Sequence, residues 1–346
     1  MKRVLALILC LALSFTLTAC GANTEPSADP APATSAPAEA PAEATPADDI
    51  NWPNGNITLL CGLSAGGSSD LGARLVANGL SKELGVSVTV ENVTGGGSWI
   101  AWNQLLHNTD LDGNTFAFIN HNVVFGQYDD VNPREDGLDD FELLMGQLID
   151  YSCIMVRADD DRFTDFASFV ELAQTTDLMT SCTGTGITDG DATLIEVMRQ
   201  KLGCKITIVP TDGGTEALSM LLAGDIDFFL NNACTAARSL EDGYKVICTF
   251  SDERTEALPD VPTAKESGLL DYTSGVVRGF AYPKGVAPEI VKKMTDAMRN
   301  VMNSQEYLDS MKQLSLIPVT MEPDELYDAL SSQLDARLEI YGLERK

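Results

Sequence analysis

From Ile57 onward the chain alternates short apolar runs with longer amphipathic ones, and this rhythm narrows the possible folds more than any other feature. Residues 57–61 read as a strand, 70–84 as a helix and 86–90 as a second strand. Strand and helix alternating at this spacing is the pattern of a parallel α/β fold, because each crossover helix covers one face of the sheet. The middle of the chain repeats it at 178–181, 191–202, 206–209, 215–223 and 226–230. The last third changes character. Segments 288–303, 305–314 and 323–341 read as helices, with Pro288 and Pro323 in a first turn, where a missing N–H is harmless.

About 290 residues follow position 55, more than one hydrophobic core usually holds, so two lobes are expected. A weak internal repeat agrees. Gly66 and Gly184, Leu84 and Leu202, Gly85 and Gly203, and Gly95 and Gly213 are each 118 positions apart, as are Val88 with Ile206 and Val90 with Ile208. Each copy reads strand, glycine loop, helix, Leu-Gly stop, strand, second glycine loop. Unrelated strand-helix-strand units share this grammar, so the repeat is an expectation for the structure to decide. If it holds, each lobe offers two glycine loops at the carboxyl ends of its strands, where open α/β sheets bind ligands, and two such edges facing one another make a cleft.

The first 55 residues read as an address and a spacer. Lys2 and Arg3 precede an apolar run at 4–17, too short to span a bilayer and laid out as a signal peptide. It ends in Leu17-Thr18-Ala19-Cys20, a bacterial lipobox pattern in which Cys20 would carry a lipid anchor to the cell membrane, so 1–20 are assigned to the signal and lipobox. The Ala/Pro-rich stretch at 21–55 lacks the apolar bulk for a core and reads as a disordered tether. The chain carries 51 acidic against 23 basic side chains, a formal charge of −28, which argues against a nucleic-acid partner. Cys61, Cys153, Cys182, Cys204, Cys234 and Cys248 match no metal-ligand spacing and sit in or beside apolar runs, so they read as small buried hydrophobes. Export would permit disulfides, and spacing assigns none.

Three segments resemble one family. Leu258-Pro259-Asp260-Val261-Pro262-Thr263-Ala264-Lys265-Glu266-Ser267-Gly268, the loop Ser64-Ala65-Gly66-Gly67-Ser68-Ser69-Asp70, and Arg278-Gly279-Phe280-Ala281-Tyr282-Pro283-Lys284-Gly285 are similar to segments of the Bug-type receptors of tripartite tricarboxylate transporters. The resemblance covers most of the chain beyond residue 55. It implies an α/β, two-lobed type II periplasmic-binding-protein fold, each lobe an open, mostly parallel sheet flanked by helices, with the chain crossing between lobes near Met155 and Val276. Lobe 1 would then be 56–155 plus 277–346, and lobe 2 would be 156–276. It also implies an extracytoplasmic, monomeric solute receptor, without cofactor or metal, that passes a small organic carboxylate to membrane permease subunits. Such receptors hold a carboxylate through backbone amides, small hydroxyls and water. That pattern carries over to Ser64, Gly66, Gly67, Ser68 and Ser69, and to Thr183, Gly184, Thr185 and Gly186. In the proline segment the resemblance suggests a turn, with Thr263 capping a helix at 264–267.

The residues themselves support a cleft. The loop from Ser64 through Ala65 to Ser69 joins a strand to a helix, so its backbone N–H groups lie where a helix dipole favours an anion. Asp70 reads as a helix cap, since its charge would repel such a ligand. End-of-strand logic adds the loop with Gly95-Gly96-Gly97, then Asn120 and His121, then Thr188, Asp189, Asp212 and Gly213 in the second lobe. Asn231 and Asn232, expected just after a strand, either bond a ligand or cap the next segment. Asp189 and Asp212 depart from the family pattern and put two carboxylates near one half of the cleft, which opens the alternative of an amino acid or other zwitterion. Arg278 either reaches a distal ligand carboxylate or, the favoured reading, pairs with a surface acid. Trp99 and Trp102, three apart on a helix, read as packing residues.

Two other function classes remain in view. Gly62-Leu63-Ser64-Ala65-Gly66 fits the G-x-S-x-G elbow of a serine hydrolase, yet the only histidines, His107 and His121, both lie far from the C-terminal third where such an enzyme places its base. A tethered structural or adhesive surface protein fits the composition equally well, but the receptor-like segments argue against it.

Overall fold

The computed structural model describes residues 50–130, 132–182, 188–211, 214–314 and 316–346. The chain opens with β1 (Ile57–Cys61), α1 (Ser68–Leu84), β2 (Val88–Asn92), α2 (Trp99–Asn108) and β3 (Thr115–Asn120). A long strand, β4 (Phe141–Arg157), leads to α3 (Phe166–Thr175), β5 (Leu178–Cys182), α4 (Gly190–Leu202), β6 (Ile206–Pro210) and α5 (Gly214–Ala223). Next come β7 (Phe229–Asn232), α6 (Ala233–Ser239), β8 (Tyr244–Thr249) and β9 (Gly275–Pro283), followed by α7 (Pro288–Met302), α8 (Gln305–Gln313) and α9 (Pro323–Tyr341). The second strand starts two residues later than its apolar pattern suggests, because Gly85 turns left-handed at φ 69° to stop α1 and the chain must reverse before pairing.

One sheet runs β2-β1-β3-β9-β4-β7, with β8 also paired to β4, and β5-β6 form a separate parallel pair. β1 pairs in parallel with both β2 and β3, whereas β3-β9, β9-β4, β4-β7 and β4-β8 are antiparallel. β4 spans 17 residues, pairing with β9 up to Tyr151↔Gly275 and then with β7 and β8 from Ser152 on. It is the strand that carries the chain from one half of the molecule into the other.

Burial follows the strand alternation. On one face, Leu148, Phe280 and Tyr282 join α1, α7 and α8 in a core with Leu59, Phe116 and Met298. The opposite face packs Ile119, Val277 and Ala281 against α2 and α9. In the other half, Ile154 and Val156 enter a core with Phe169, Phe228 and Ile195. Each such side chain removed from water contributes about 1.5–3 kcal/mol. Trp102 is fully buried, touches Trp99 edge-on at 5.1 Å and donates its indole N–H to the Phe118 carbonyl at 3.0 Å, which makes both tryptophans packing residues.

Three local expectations need correction. The strand expected over 226–230 is Phe229–Asn232, since Asp227 and Phe228 instead direct their N–H groups to the Met179 carbonyl. Asn231 and Asn232 therefore lie inside β7 rather than after it. Second, Thr263 does accept the Glu266 N–H at 3.0 Å, but turns follow it in place of a helix, as Thr263 is pinned beside the end of β8 by Ala264 N–H to Thr249 O at 2.8 Å. Third, α1 begins after Gly67 with no side-chain cap, because Asp70 is engaged elsewhere.

Candidate functional site: the interlobe cleft

The first glycine loop is braced from below. Asp70, 1% exposed, accepts the Gly66 N–H at 2.8 Å, the Arg74 Nε at 2.9 Å and the Asn92 Nδ2 at 2.8 Å. Burial alone would raise its carboxyl pKa, but Arg74, Gly66 and Asn92 together hold it below the usual range. Gly67 gives its N–H to the Ser64 carbonyl at 3.3 Å. Two of the backbone donors expected to face a ligand are thus used within the loop. The N–H groups of Ser68 and Ser69, in the first turn of α1, have no bonded partner among the described residues, and Ser64, Ala65, Gly66 and Gly67 stand exposed.

The second glycine loop locks against the first. A Cβ on Gly62 would lie 2.3 Å from the Ser98 Cβ, so only glycine fits there. Ser98 itself is buried with φ 86°, a left-handed conformation that a side-chain-bearing residue adopts only when its surroundings force it. Asn120, also buried, donates to Ser98 Oγ at 3.4 Å and accepts the Asn122 N–H at 2.9 Å, so it is a brace between loops.

Beyond these braces lies a cavity of about 340 Å³. Its floor is the β4-β9 ribbon at Ser152, Ser274 and Val276; His121 and Asn122 close one side, and Thr188, Asp189, Asp191, Asn231 and Asn232 the other. A smaller cavity of about 210 Å³ continues from it past Asn122 and Thr188 to Gly96, Gly97 and Trp99. Of the residues predicted from sequence, the structure brings together His121, Thr188, Asp189 and Asn231. Ser64 to Ser69 and Asn120 stay outside this lining, on the same edge of the sheet. Thr183, Gly184, Thr185, Gly186, Asp212 and Gly213 lie outside the described residues, as do Cys20 with its lipobox and the spacer through residue 49.

The cavity's second wall is acidic. Asp189 caps α4, accepting the Ala192 N–H at 2.8 Å, and faces the cavity at the same time. Burial, with Asp189 next in weight, pushes Asp191 up to about 8 against the opposing pull of Arg337. That arginine comes from α9, 5% exposed, with its guanidinium 3.6 Å above the Phe125 ring. Burial, then Arg337 and Arg278, keeps the His121 imidazole well below its ordinary value and therefore neutral. Asp191 and Arg337 escaped the sequence reading. Asp191 reads as the start of a helix, and nothing in the pattern of α9 marks Arg337 as the position that reaches across to α4.

Arg278 also departs from its favoured reading. It is 6% exposed and makes no ion pair among the described residues, because β9 places it in the middle of the sheet opposite Asn120 and Leu148, away from any surface acid. Ser64 forms no hydrogen bond with either histidine: His107 Nε2 meets Asp136 at 2.9 Å, and His121 Nδ1 is buried without a partner among the described residues. The six described cysteines are free and buried, with thiols pushed up by burial, and no metal-ligating cluster occurs among the described residues.

Comparison with known proteins fits this geometry. A family model for TctC, the tripartite tricarboxylate transporter family receptor, matches residues 72–340. The chain belongs to the TctC family. It is 27% identical over 278 residues to a Cupriavidus necator protein named "UPF0065 protein in gbd 5'region", covering 79% of this chain and 83% of that one. Among solved structures, malate-bound MatC from Rhodopseudomonas palustris has a TM-score of 0.68 at 23% identity, covering 84% of this chain and 99% of its own. An adipate-bound R. palustris protein reaches 0.70 at 21% identity with the same coverages. The TctC family is one of extracytoplasmic solute receptors, and the two-lobed periplasmic-binding fold expected from the sequence is the fold found.

Proposed function

We propose that this TctC-family protein is a lipid-anchored receptor that encloses a small carboxylate-bearing solute, a di- or tricarboxylate or related organic acid, and delivers it to the permease of a tripartite tricarboxylate transporter. One observation supports this above the others: loops from both halves converge on a cavity of about 340 Å³ floored by the two strands that join the halves. That size suits a small acid rather than a polymer. Malate and adipate, bound by relatives of the same fold, are both dicarboxylates. Lobe 1 would comprise 56–155 with 277–346 and lobe 2 would comprise 156–276, so closure would bend β4 and β9. Cys20 would hold the monomeric receptor at the membrane, with 21–55 as its tether.

The test is a thermal-shift screen of the protein from residue 49 against organic acids, followed by calorimetry. An acid at a hundred times its Kd should add about 2.7 kcal/mol. Failure of every di- and tricarboxylate, with no ligand retained in native mass spectrometry, would remove the reading. A second reading, an amino acid or other zwitterion, draws on the Asp189 carboxylate beside the cavity. If it holds, Asp189→Asn weakens a zwitterion and spares its deaminated analogue. A hydrolase reading would require stoichiometric labelling of Ser64 by a fluorophosphonate.

A further inference from the structure

The ribbon of β4 and β9 presents one continuous row of side chains toward α1 and the cleft. Along β4 it reads Leu148, Asp150, Ser152, Ile154; along β9 it reads Phe280, Arg278, Val276, with Ser274 just before the strand. Leu148 and Phe280 belong to the core under α1, Ser152 and Val276 line the cavity, and Ile154 belongs to the other half's core. Arg278 and Asp150 fill the step between core and cavity. Each lies one same-face position inward of a cavity-lining residue, Asp150 from Ser152 and Arg278 from Val276.

This pair is charged, buried and not satisfied by itself. Among the described residues, Arg278 Nη1 and Asp150 Oδ2 are both buried without a hydrogen-bond partner, and the two groups do not approach within ion-pair distance. Asp150 spends its other oxygen on the Cys234 N–H at 3.0 Å. A guanidinium placed in a core for stability normally ends on a carboxylate in bidentate contact, because its charge cannot be shed. Arg278 does not. Its field reaches Cys61, at the foot of the first glycine loop, Cys234, at the start of α6, and His121 on the cavity wall. On the same side of the sheet, the 17-residue helix α1 opens with the Ser68 and Ser69 N–H groups, which have no bonded partner among the described residues.

We propose that Arg278 sets the charge selectivity of the receptor by taking the innermost carboxylate of the bound solute, with the first turn of α1 as a second donor set. The proposal rests on the carboxylate-receptor reading and adds to it a specific residue, which the family resemblance, with its amide and hydroxyl donors, does not supply.

Calorimetry with malate, adipate and citrate as probes tests it on wild type, Arg278→Met and Arg278→Lys. Methionine should weaken the tightest acid at least about thirtyfold, the loss expected when one partner of a desolvated charge contact is removed. It should leave the midpoint of the unliganded protein unchanged or higher, since an apolar side chain replaces a buried charge. Lysine keeps the charge but not the fork and should fall between the two. Wild-type affinity in either variant overturns the proposal and leaves the receptor reading standing, as does a lowered unliganded midpoint with affinity intact. A wild type that binds none of the organic acids overturns both. Should the methionine variant not fold, the lysine variant and its affinity decide alone.

Discussion

The two strand-helix-strand units, β1-α1-β2 and β5-α4-β6, share a frame and differ at one end of it. Both pair their strands in parallel, and both helices stop at a left-handed glycine with φ 69°, Gly85 and Gly203. From the helix stop through the second strand, the 118-residue offset holds to the residue, Val88–Asn92 against Ile206–Pro210. At the first strands it becomes 121, Ile57–Cys61 against Leu178–Cys182, and α4 is 13 residues long where α1 has 17. The divergence is confined to the helix start, which is the end that faces the cleft. In the first unit the acid nearest that start, Asp70, is buried and fully engaged, so α1 presents donors and no free charge. In the second, Asp189 caps the helix while facing the cavity, and Asp191 stands beside it with a carboxyl that resists ionisation. A common frame thus gives one wall suited to an anion and another suited to a donor.

Removing Asp70 is the largest blow to that contrast. Asp70→Ala removes the buried acceptor shared by Arg74, Asn92 and the Gly66 N–H and should cost about 2–4 kcal/mol in urea unfolding. A loss under 1 kcal/mol would mean that the first loop holds its shape without the carboxylate, and the two units would differ in sequence only.

Acid and alkali should then separate the units. Asp70 has a depressed folded-state pKa, so its contribution is present above 3.8 and is lost as pH falls through the folded value. Asp191 is raised, so the sign reverses: the folded state holds the extra proton between 3.8 and about 8, and stability declines as pH climbs through that window. Asp191→Asn should flatten the decline across that window, lifting the melting midpoint by at least about 4 °C at pH 8.5 with little change at pH 4. An unaltered pH profile in this variant would show that Asp191 ionises freely and that the second wall holds it as a charged carboxylate rather than as a neutral acid.

The frame was legible in the sequence because it is written in periodicity and punctuation. Apolar runs of strand length, helices closed by Leu-Gly and prolines in first turns all depend on neighbours close in the chain. The cavity was legible only as far as end-of-strand logic reached, to His121, Thr188, Asp189 and Asn231 in its lining. Arg337 was missed because its position depends on α9 packing across α4, about 140 residues away in sequence, a contact no local pattern encodes. Arg278 was singled out but misplaced: an arginine in a run of apolar residues normally finds the surface, and only the pairing of β9 between β3 and β4 buries it in the middle of the sheet. The Gly66 and Gly67 amides looked available because a glycine loop before a helix exposes its donors, but the carboxylate four residues on turns back to take one of them.

A smaller effect tests the cap in the second unit. Asp189→Ala removes the acceptor of the Ala192 N–H and should cost about 1 kcal/mol, the usual value for an N-cap. The first unit has no side-chain cap to lose, so Ser68→Ala and Ser69→Ala should change stability by less than about 0.5 kcal/mol. Equal losses in both units would place the asymmetry somewhere other than the helix starts.

The finest comparison is at the helix stops, where the two units should behave alike. Gly85 and Gly203 share a φ of 69°, and a Cβ at either position would meet nothing within 4 Å. Replacing either with alanine therefore adds no clash and costs only the left-handed backbone, about 1 kcal/mol each. The informative quantity is the difference between Gly85→Ala and Gly203→Ala, measured in one urea series on the same protein. It should fall below about 0.5 kcal/mol, and since the two stops share no partners, the double variant should be additive within the same margin. A difference of 1 kcal/mol or more would mean that one stop carries tertiary strain the other lacks, and that the offset of 118 marks a shared grammar rather than equivalent structure.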